Sequence, residues 1–462
     1  MSGSAGKKLF GTDGIRGVAG RFPLDERTVA IVGRSLVLNL VRELGRAPRI
    51  IIGRDTRESG PQIESALARG AMAGGATVRS AGVITTPGVA YITRAAPFDA
   101  GVVISASHNP YQDNGIKVFS PSGKKLVDEM ERRIEADVAA ADDENAASSQ
   151  KAGELEWLHD QEMRERAYQE SYINYLATDV SRGLRLEGLR LGVDCANGAA
   201  SAIAPVLFDR LGAKVEVISA QPDGRNINEA CGSLHQEALQ RAVVDRGLDL
   251  GIAFDGDADR ALFVDAEGNL VDGDATLLIL ADYLKQRDEL PGNVVVATVM
   301  SNIGLEIALR ERGIELVRAQ VGDRFVLEEL LARDAKLGGE QSGHIIFPAI
   351  SLAGDGIITA IELLRAVREA GTALGQLAAR MIRYPQLLVN IRVRSKPPLE
   401  TLPEVKAESE RLERDLQGRG RLLVRYSGTE NLARVMIEGE DATTVREQAN
   451  RLADLIRKAI GE

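Results

Sequence analysis

The stretch GVVISASHNPYQDNGIKVF, residues Gly101–Phe119, decides how the rest of the chain is interpreted. It begins with the apolar, β-branched run Val102–Ile104, which is typical of a strand buried on both faces. The polar residues that follow end in Asn109-Pro110, a pair that favours a turn. Because open α/β sheets bind ligands at the carboxyl ends of their strands, the pattern places Ser107 where a nucleophile is expected. An ordinary strand-to-loop turn explains this stretch equally well when it is taken alone.

A second buried strand is predicted at Leu248–Phe254, and it is followed by the acidic segment Asp255–Arg260, DGDADR. Its three carboxylates are separated by single small residues, so they repel one another. A hard divalent cation bound through oxygen atoms relieves that repulsion. The closing glutamate of an EF-hand loop is missing, which excludes that motif. The alternative interpretation is an acidic turn solvated at the surface.

Five motifs together resemble the α-D-phosphohexomutase family. In the order of that family they are GTDGIRG (Gly11–Gly17), SASHNP (Ser105–Pro110), DGDADR (Asp255–Arg260), GGEQSGH (Gly338–His344) and RYSGTEN (Arg425–Asn431). Each motif alone is weak evidence, whereas five in the same order are specific. The resemblance extends from Gly11 to about Gly439 and covers nearly the whole chain. Within the family, the chain is most similar to the branch that acts on glucosamine phosphates.

Composition and charge limit the classes of function. A length of 462 residues is too great for one hydrophobic core and suggests three or four domains. The net charge of −10 and the lack of a Lys/Arg-rich run argue against nucleic-acid binding. Neither a secretory signal nor an apolar run of membrane-spanning length is present, so we expect a cytoplasmic protein with no membrane partner. Cys195 and Cys231 follow no metal or disulfide pattern.

Apolar strand patterns alternate with helical patterns over most of the chain. The first such pair is a strand at Ile50–Ile52 and a helix that ends at Ala73, with Ser59 expected as its N-cap. This rhythm predicts parallel strands joined by crossover helices. Arg57, in the segment between them, is more typical of a structural ion pair than of an active site.

The rhythm changes from Pro385 onwards. Leu388–Val393, Leu422–Arg425 and Arg434–Glu438 alternate as half-exposed antiparallel strands do. We therefore predict three successive mixed α/β domains and a C-terminal α+β domain, in which helices cover an antiparallel sheet. The predicted domains are 1–160, 161–264, 265–382 and 383–462. The resemblance implies that they carry, in this order, a phosphoserine loop, a metal-binding loop, a sugar-binding loop and a phosphate-binding loop. The resemblance implies that all four surround a central cleft.

The resemblance also implies an isomerase that transfers phosphate reversibly between the 6- and 1-positions of a hexosamine. Ser107 would carry the phosphoryl group, and one Mg²⁺ ion per active site would lie between phospho-Ser107, Asp255, Asp257 and Asp259. A hexosamine 1,6-bisphosphate would be both the intermediate and the activator. The reaction would supply the synthesis of amino-sugar nucleotides and cell-wall precursors. The expected partner is a phosphosugar substrate, and a homodimer is left open.

The remaining site residues are assigned by the same resemblance. Arg16, Lys117 and His344 would handle protons and transition-state charge. Glu340, Ser342 and Arg260 would contact the substrate, and the mixed polar groups of the loop at Glu340 suit the hydroxyls of a sugar. The C-terminal motif offers hydroxyls, backbone N–H groups and guanidinium groups that suit a phosphate. Its expected phosphate-binding residues are Arg425, Ser427, Gly428, Thr429 and Arg434.

Other functions stay open at this point. A phosphomannomutase or phosphoglucomutase of the same family would use the same motifs with another sugar. A non-catalytic phosphosugar-binding protein would be expected to have lost Ser107 or the aspartates, and the chain retains all of them. A serine hydrolase would need a G-x-S-x-G turn around its nucleophile, and Ser107 does not lie in one.

Overall fold

The computed structural model describes residues 9–11, 13–141, 161–427 and 430–462. The chain divides into two compact units. The first consists of Met1–Val299 with Val317–Ala378, and the second of Met300–Leu316 with Ala379–Glu462. Among the described residues, none of the helices combines the length and apolar character that crossing a membrane requires.

The first sheet of the first unit has six strands in the order β1-β2-β6-β5-β3-β4. Its strands are β1 Phe10–Gly11, β2 Gly14–Val18, β3 Arg49–Arg54, β4 Thr77–Val83, β5 Ala100–Ile104 and β6 Asp113–Phe119. β3 pairs in parallel with β4 and β5, as the rhythm of the sequence predicts. In contrast, β6 runs antiparallel to both β5 and β2, so the sheet is mixed.

Five helices accompany this sheet: α1 Glu26–Leu44, α2 Gly60–Ala73, α3 Thr86–Ala95, α4 Asp128–Ala140 and α5 Gln161–Tyr175. α1 begins where the Asp25 carboxylate accepts a hydrogen bond from the N–H of Thr28, and it ends at Gly45 in the left-handed conformation. Ser59 is the N-cap residue of α2, but the predicted capping bond does not form. Its hydroxyl instead accepts a hydrogen bond from the amide of Asn114 in β6, at 2.9 Å.

The second sheet has the order β11-β10-β9-β7-β8. Its elements are β7 Arg190–Asp194, α6 Ala204–Arg210, β8 Lys214–Ile218, α7 Glu237–Arg246, β9 Leu250–Phe254, β10 Ala261–Val264 and β11 Leu270–Val271. β7 pairs in parallel with β8 and β9. β9 and β10 form an antiparallel hairpin, and every residue of both strands is buried. The acidic segment of the sequence is the loop of this hairpin.

The third sheet has the order β13-β12-β14-β15. Its elements are α8 Gly273–Gln286, β12 Val294–Thr298, β13 Glu315–Ala319, α10 Asp323–Ala332, β14 Gly338–Gly339, β15 Ile345–Ile346, α11 Gly356–Ala370 and α12 Leu374–Ala378. β14 and β15 are two-residue strands of an antiparallel pair. The loop between them carries Glu340, Ser342 and His344.

The second unit contains an antiparallel sheet of three strands in the order β16-β18-β17. Its elements are α9 Ile303–Glu311, β16 Gln386–Arg392, α13 Pro403–Leu416, β17 Arg421–Tyr426, β18 Leu432–Glu438 and α14 Ala442–Ile460. Apolar residues of α13 and α14 pack on one face of this sheet in a single core that includes Leu412, Val435 and Leu452. The predicted fold class, three mixed α/β parts followed by an α+β part, is confirmed. The domain boundaries stay a prediction.

Candidate active site

Ser107 lies in the turn after β5 in a left-handed backbone conformation, with φ of 52°. A non-glycine residue adopts this conformation only where its surroundings hold it there. Its side chain is buried, and its Oγ donates a hydrogen bond to Oδ2 of Asp255 at 2.5 Å. Nδ1 of His108 lies 3.3 Å from the same Oγ. The turn therefore presents the Ser107 hydroxyl to the acidic hairpin loop of the second sheet.

Side chains of the loop that follows β3 hold this turn in place. The N–H of Ser107 donates to Oγ of Ser105 at 2.9 Å, and that hydroxyl donates to Asp55 at 2.6 Å. Asp55 also forms an ion pair with Arg57 at 2.9 Å, and both side chains are fully buried. The Arg57 guanidinium donates to four carbonyl oxygens of the turn, those of Ser107, Asn109, Pro110 and Asp113. The turn is thus fixed from within the first sheet.

The second sheet contributes two further contacts to the backbone of the turn. Nδ2 of Asn228 donates to the carbonyl oxygens of Ser107 and Asn109, at 2.9 and 3.1 Å. Gly256 approaches so closely that a Cβ atom there would lie 2.6 Å from the carbonyl oxygen of Ser107. Glycine is therefore needed between the first two aspartates for the loop to reach Ser107.

The loop between β9 and β10 brings its three carboxylates together. Asp255, Asp257 and Asp259 each offer an oxygen atom, and these atoms lie within 4.8 Å of one another. All three side chains are buried. Ala258 adopts a positive φ of 55°, which curls the loop so that alternate residues converge. The sequence predicts three carboxylates on one loop, and the structure shows that all three point to the same place.

The electrostatics of this cluster suit a cation. Burial raises the pKa of Asp255 well above its usual value, and the neighbouring Asp259 and Asp257 raise it further. Oδ1 of Asp257 and Oδ1 of Asp259 are buried, and no hydrogen-bond donor meets either atom within the described part of the chain. Unsatisfied buried oxygen atoms of this kind are expected where a metal ion binds. The three aspartates and Ser107 therefore fit a hard divalent cation.

Lys117 lies in β6, and its Nζ contacts three carboxylates: Asp257 at 3.0 Å, Asp13 at 3.2 Å and Asp259 at 3.4 Å. Its side chain is buried. Burial lowers the pKa of Lys117, but the three carboxylates raise it more, so the net shift is well upward. A permanent positive charge is thus held beside the acidic loop.

Arg16 lies in β2, beside β6, and forms an ion pair with Asp13. Its Nη1 donates to the carbonyl oxygen of Ala106 at 3.2 Å, next to Ser107 in the chain.

Burial lowers the pKa of His108 to about 4, and the positive charges of Arg260 and Arg16 lower it further. The His108 imidazole next to Ser107 is therefore neutral at pH 7.

His344 lies in the loop after β14, with Nδ1 3.7 Å from Asp259 and Nε2 3.9 Å from Asp323. Burial lowers its pKa, but the carboxylates of Asp259, Asp323 and Glu340 raise it more, to about 9. Gly354 packs on the imidazole, since a Cβ atom at that position would lie 2.2 Å from Nε2. The ring is consequently held in one place with its positive charge beside Asp259.

Arg260 is the last residue of the acidic loop, and Glu340 and Ser342 lie in the loop between β14 and β15. The backbone N–H of Arg260 donates to Asp255 at 3.2 Å, and Nε of Arg260 is buried without a hydrogen bond to any described residue. Ser342 Oγ donates to Glu340 at 3.1 Å, and the other carboxylate oxygen of Glu340 accepts from the N–H of Gly322 at 3.1 Å. A guanidinium N–H and a paired carboxylate and hydroxyl are thus available to an oxygen-rich ligand.

The predicted phosphate-binding residues lie in the second unit. Arg425 in β17 is directly opposite Arg434 in β18. Burial lowers the pKa of Arg425, and the charge of Arg434 lowers it further. Nε of Arg434 is buried and finds no hydrogen-bond acceptor among the described residues, although Nη2 of the same side chain donates to Glu430 at 2.8 Å. Two facing guanidinium groups favour an anion between them. Ser427 is buried beside them, whereas Gly428 and Thr429 lie outside the described residues.

Comparison with known proteins agrees with this geometry. Four models of the phosphoglucomutase/phosphomannomutase family match in order: alpha/beta/alpha domain I over residues 7–145, domain II over 170–268, domain III over 272–384 and the C-terminal domain over 388–455. Together they match most of the chain. The chain belongs to the phosphoglucomutase/phosphomannomutase family.

Similar members of this family include bacterial proteins named phosphoglucosamine mutase. The protein from Solibacter usitatus is 50% identical over 99% of this chain and 100% of its own length. The protein from Koribacter versatilis is 49% identical over 98% of both chains, and that from Desulforamulus reducens is 49% identical over 97% of this chain and 99% of its own. These similarities extend over the full length of the chain.

Solved structures of the same fold are more distant in sequence. A phosphoglucomutase/phosphomannomutase family protein from Burkholderia thailandensis has a TM-score of 0.78 at 21% identity, covering 98% of this chain and 97% of the other. The N-acetylphosphoglucosamine mutase of Aspergillus fumigatus, solved with GlcNAc-6P and magnesium, has a TM-score of 0.66 at 19% identity, covering 98% and 96%. These likenesses show the shared fold.

Several residues of the site were not assigned from the sequence. Asp13 and Thr86 contact Lys117 and Asp257, and Lys125 and Asp323 lie at the edge of the same group of charges. Asp13 does lie in the motif GTDGIRG, which could have marked it, and Asp323 lies in the segment VGDR, residues Val321–Arg324. Nothing in the local sequence marks Thr86 or Lys125, because their partners are far away along the chain.

Proposed function

We propose that this chain is a phosphoglucosamine mutase, an isomerase that interconverts glucosamine 6-phosphate and glucosamine 1-phosphate. The observation that carries the proposal is the contact between Oγ of Ser107 and the buried carboxylate cluster, at 2.5 Å from Asp255. A hydroxyl held against a cation site is the arrangement that phosphoryl transfer needs. The full-length bacterial relatives that bear the name phosphoglucosamine mutase support the choice of sugar.

In the first transfer, the phosphoryl group moves from Ser107 to the 1-hydroxyl of glucosamine 6-phosphate. The bond between phosphorus and Oγ breaks, the bond between phosphorus and O1 forms, and Oγ keeps the electron pair. The sugar hydroxyl loses one proton and Oγ gains one, so the step is balanced. The product is glucosamine 1,6-bisphosphate. Arg16, Lys117 and His344 are the groups we assign to proton transfer and to stabilising the developing charge.

In the second transfer, the 6-phosphoryl group moves to Oγ of Ser107, and glucosamine 1-phosphate is released. The bisphosphate must turn over between the two steps, so the same groups must accept either phosphate. An enzyme that has lost its phosphoryl group recovers it from the bisphosphate, which therefore acts as an activator.

Asp255, Asp257, Asp259 and phospho-Ser107 are the residues that we propose hold one Mg²⁺ ion. When bound, this ion would neutralise charge on the phosphoryl group during transfer. Lys117 and Thr86 fix Asp257 through bonds of 3.0 and 2.6 Å to the same oxygen atom, Oδ2. The other oxygen atom, Oδ1, stays available to a cation.

Substrate contacts are assigned to two groups of residues. Glu340, Ser342 and Arg260 would hold the sugar, and Arg425, Ser427, Gly428, Thr429 and Arg434 would hold the phosphate that is not being transferred. Glucosamine carries an ammonium group at carbon 2, where glucose and mannose carry a hydroxyl. The Glu340 carboxylate suits an ammonium group, although it also accepts hydrogen bonds from hydroxyls. Division into domains 1–160, 161–264, 265–382 and 383–462, each supplying one of these loops, belongs to the same proposal.

The test compares kcat/KM for the 6-phosphates of glucosamine, glucose and mannose, each with its own 1,6-bisphosphate as activator. We expect glucosamine 6-phosphate to be the best substrate, with measurable activity on the glucose compound. A preference of tenfold or more for glucose or mannose, about 1.4 kcal/mol in transition-state binding, would contradict the proposed substrate. In that case, the protein would be interpreted as a phosphomannomutase or phosphoglucomutase. Binding without turnover of any of the three would indicate a non-catalytic phosphosugar-binding protein.

A further inference from the structure

Lys125 joins two carboxylates from different parts of the first unit. Its Nζ donates to Oδ1 of Asp13 and, at 2.5 Å, to Oδ2 of Asp323. Asp13 precedes β2, whereas Asp323 is the first residue of α10. The Lys125 ammonium thus bridges the first sheet and the third.

The Asp13 end of this bridge reaches Lys117 and Arg16, two of the cations assigned to the proposed reaction. Oδ2 of Asp13 lies 3.2 Å from Nζ of Lys117 and also pairs with Arg16. Because Oδ1 is occupied by Lys125, the carboxylate is fixed with its second oxygen atom towards the two catalytic side chains. Loss of Lys125 would free that carboxylate to rotate.

The Asp323 end reaches His344, whose Nε2 lies 3.9 Å from Oδ2 of Asp323. Nδ1 of the same imidazole lies 3.7 Å from Asp259, and Asp259 lies 3.4 Å from Lys117. These contacts therefore form a closed ring. In order, its members are Asp259, Lys117, Asp13, Lys125, Asp323 and His344.

We propose that Lys125 and Asp323 are positioning residues for phosphoryl transfer. Their ion pair fixes Lys117 on one side of Asp259 and His344 on the other. This inference rests on the proposed mutase function. Among the described residues, neither side chain forms a hydrogen bond or ion pair with Ser107 or the acidic loop. Lys125 therefore acts through Asp13, and Asp323 acts through His344. Removing either side chain leaves its neighbours in the ring without one of their partners.

The test uses Lys125→Met, Asp323→Asn and the double variant of the full chain, assayed with glucosamine 6-phosphate. We expect each single change to lower kcat by about tenfold or more while KM stays within about twofold, since binding groups are untouched. The double variant should be no slower than the slower single variant, because one bridge is lost in every case. Lys125→Arg, which keeps the charge, should recover most of the lost kcat.

Lys124 provides a matched control. It is the neighbouring lysine, but its side chain is exposed and it forms no ion pair within the described ranges, so Lys124→Met should leave kcat unchanged. The proposal is overturned if Lys125→Met keeps kcat within about twofold of the unchanged protein, or if the two losses multiply in the double variant. If Lys125→Met does not fold, Asp323→Asn decides by the same criterion. An unchanged protein with no mutase activity would instead refute the proposed function.

Discussion

The buried Arg57 guanidinium donates from Nη2 to the carbonyl oxygen of Ser107 at 3.0 Å, and so fixes the one residue of the turn that carries the reactive hydroxyl. Arg57 is also the only cation paired with the buried Asp55 in the ion pairs of the described chain. A side chain that the sequence indicates as structural therefore shapes the active site as well.

We expect Arg57→Met to lower the free energy of unfolding by about 3–5 kcal/mol, because Asp55 is left buried without a counter-charge. Urea unfolding followed by circular dichroism measures this loss. Arg46→Met is the control, since the pair between Arg46 and Asp99 is largely exposed on the arginine side and contributes much less. Equal losses in the two variants would show that the buried pair has no special role.

Removal of the metal should abolish the reaction. The Oδ1 atoms of Asp257 and Asp259 make no hydrogen bond within the described residues. Nδ1 of His344 and Nε of Arg260 lie 3.7 Å from Oδ1 of Asp259, so both Oδ1 atoms can still bind a cation. We expect chelation by EDTA to stop turnover and Mg²⁺ to restore it. Asp257→Asn should weaken Mg²⁺ binding about tenfold or more, as measured by calorimetry.

Asp245→Asn serves as the control for this experiment, since Asp245 is exposed on α7 in the same part of the chain. It removes the same charge and should leave Mg²⁺ binding unchanged. Full activity after exhaustive chelation would remove the cation from the mechanism.

Arg425 should contribute to substrate binding through the phosphate. A hydrogen bond to a charged group is worth about 1.5–3 kcal/mol, so Arg425→Ala should raise KM for glucosamine 6-phosphate roughly 10- to 150-fold. The comparison variant is Arg419→Ala, because Arg419 precedes the same strand but is exposed. Similar KM values for Arg425→Ala and the unchanged protein would exclude Arg425 from phosphate binding.

The buried N-cap of α11 predicts a measurable dependence of stability on pH. Burial raises the pKa of Asp355 to about 6, against the bonds from Tyr172 and the helix N–H groups that lower it. Because the pKa in the folded protein exceeds that in the unfolded chain, the contribution of Asp355 is fully present below about pH 4 and is lost as the pH rises through about 6.

Asp355→Asn removes this titration. We expect the free energy of unfolding of the variant, minus that of the unchanged protein, to rise between pH 4 and pH 7 by roughly 3 kcal/mol at most. Urea unfolding at several pH values measures the difference.

The N-cap of α14 provides the opposite case, since hydrogen bonds from Thr444 lower the pKa of Asp441. Asp441→Asn should therefore lose relative stability as the pH rises, and the same sign for both variants would contradict this explanation.

The sequence predicts those parts of the site that follow buried strands. Apolar runs that stop at polar turns locate both Ser107 and the acidic loop, because burial of a strand and exposure of its end are encoded locally. The antiparallel direction of β6 was not predicted, since the crossover rhythm applies only to parallel neighbours. The Ser59 hydroxyl likewise finds Asn114 instead of its own helix, which depends on how the two strands pack.

Contacts between distant segments lie beyond such patterns. Lys125 and Asp323 are 198 positions apart, and their ion pair depends on how the first and third sheets pack within the first unit. The same holds for Asn228, whose amide reaches the carbonyl oxygen of Ser107 across 121 positions. The residue type indicates that a buried polar side chain needs a hydrogen-bond or ion-pair partner. Which residue becomes that partner is known only from the folded chain.

The mechanism is tested most directly by following the phosphoryl group on Ser107 during a single turnover. Enzyme phosphorylated with a labelled bisphosphate is mixed with unlabelled glucosamine 6-phosphate, and both peptides and sugars are analysed by mass spectrometry. We predict that the label leaves the peptide containing Ser107 and appears in glucosamine 1,6-bisphosphate at a rate no slower than kcat, and that Ser107→Ala carries no label and does not turn over. Label that stays on Ser107 while product forms, or full activity of Ser107→Ala, would contradict the proposed mechanism.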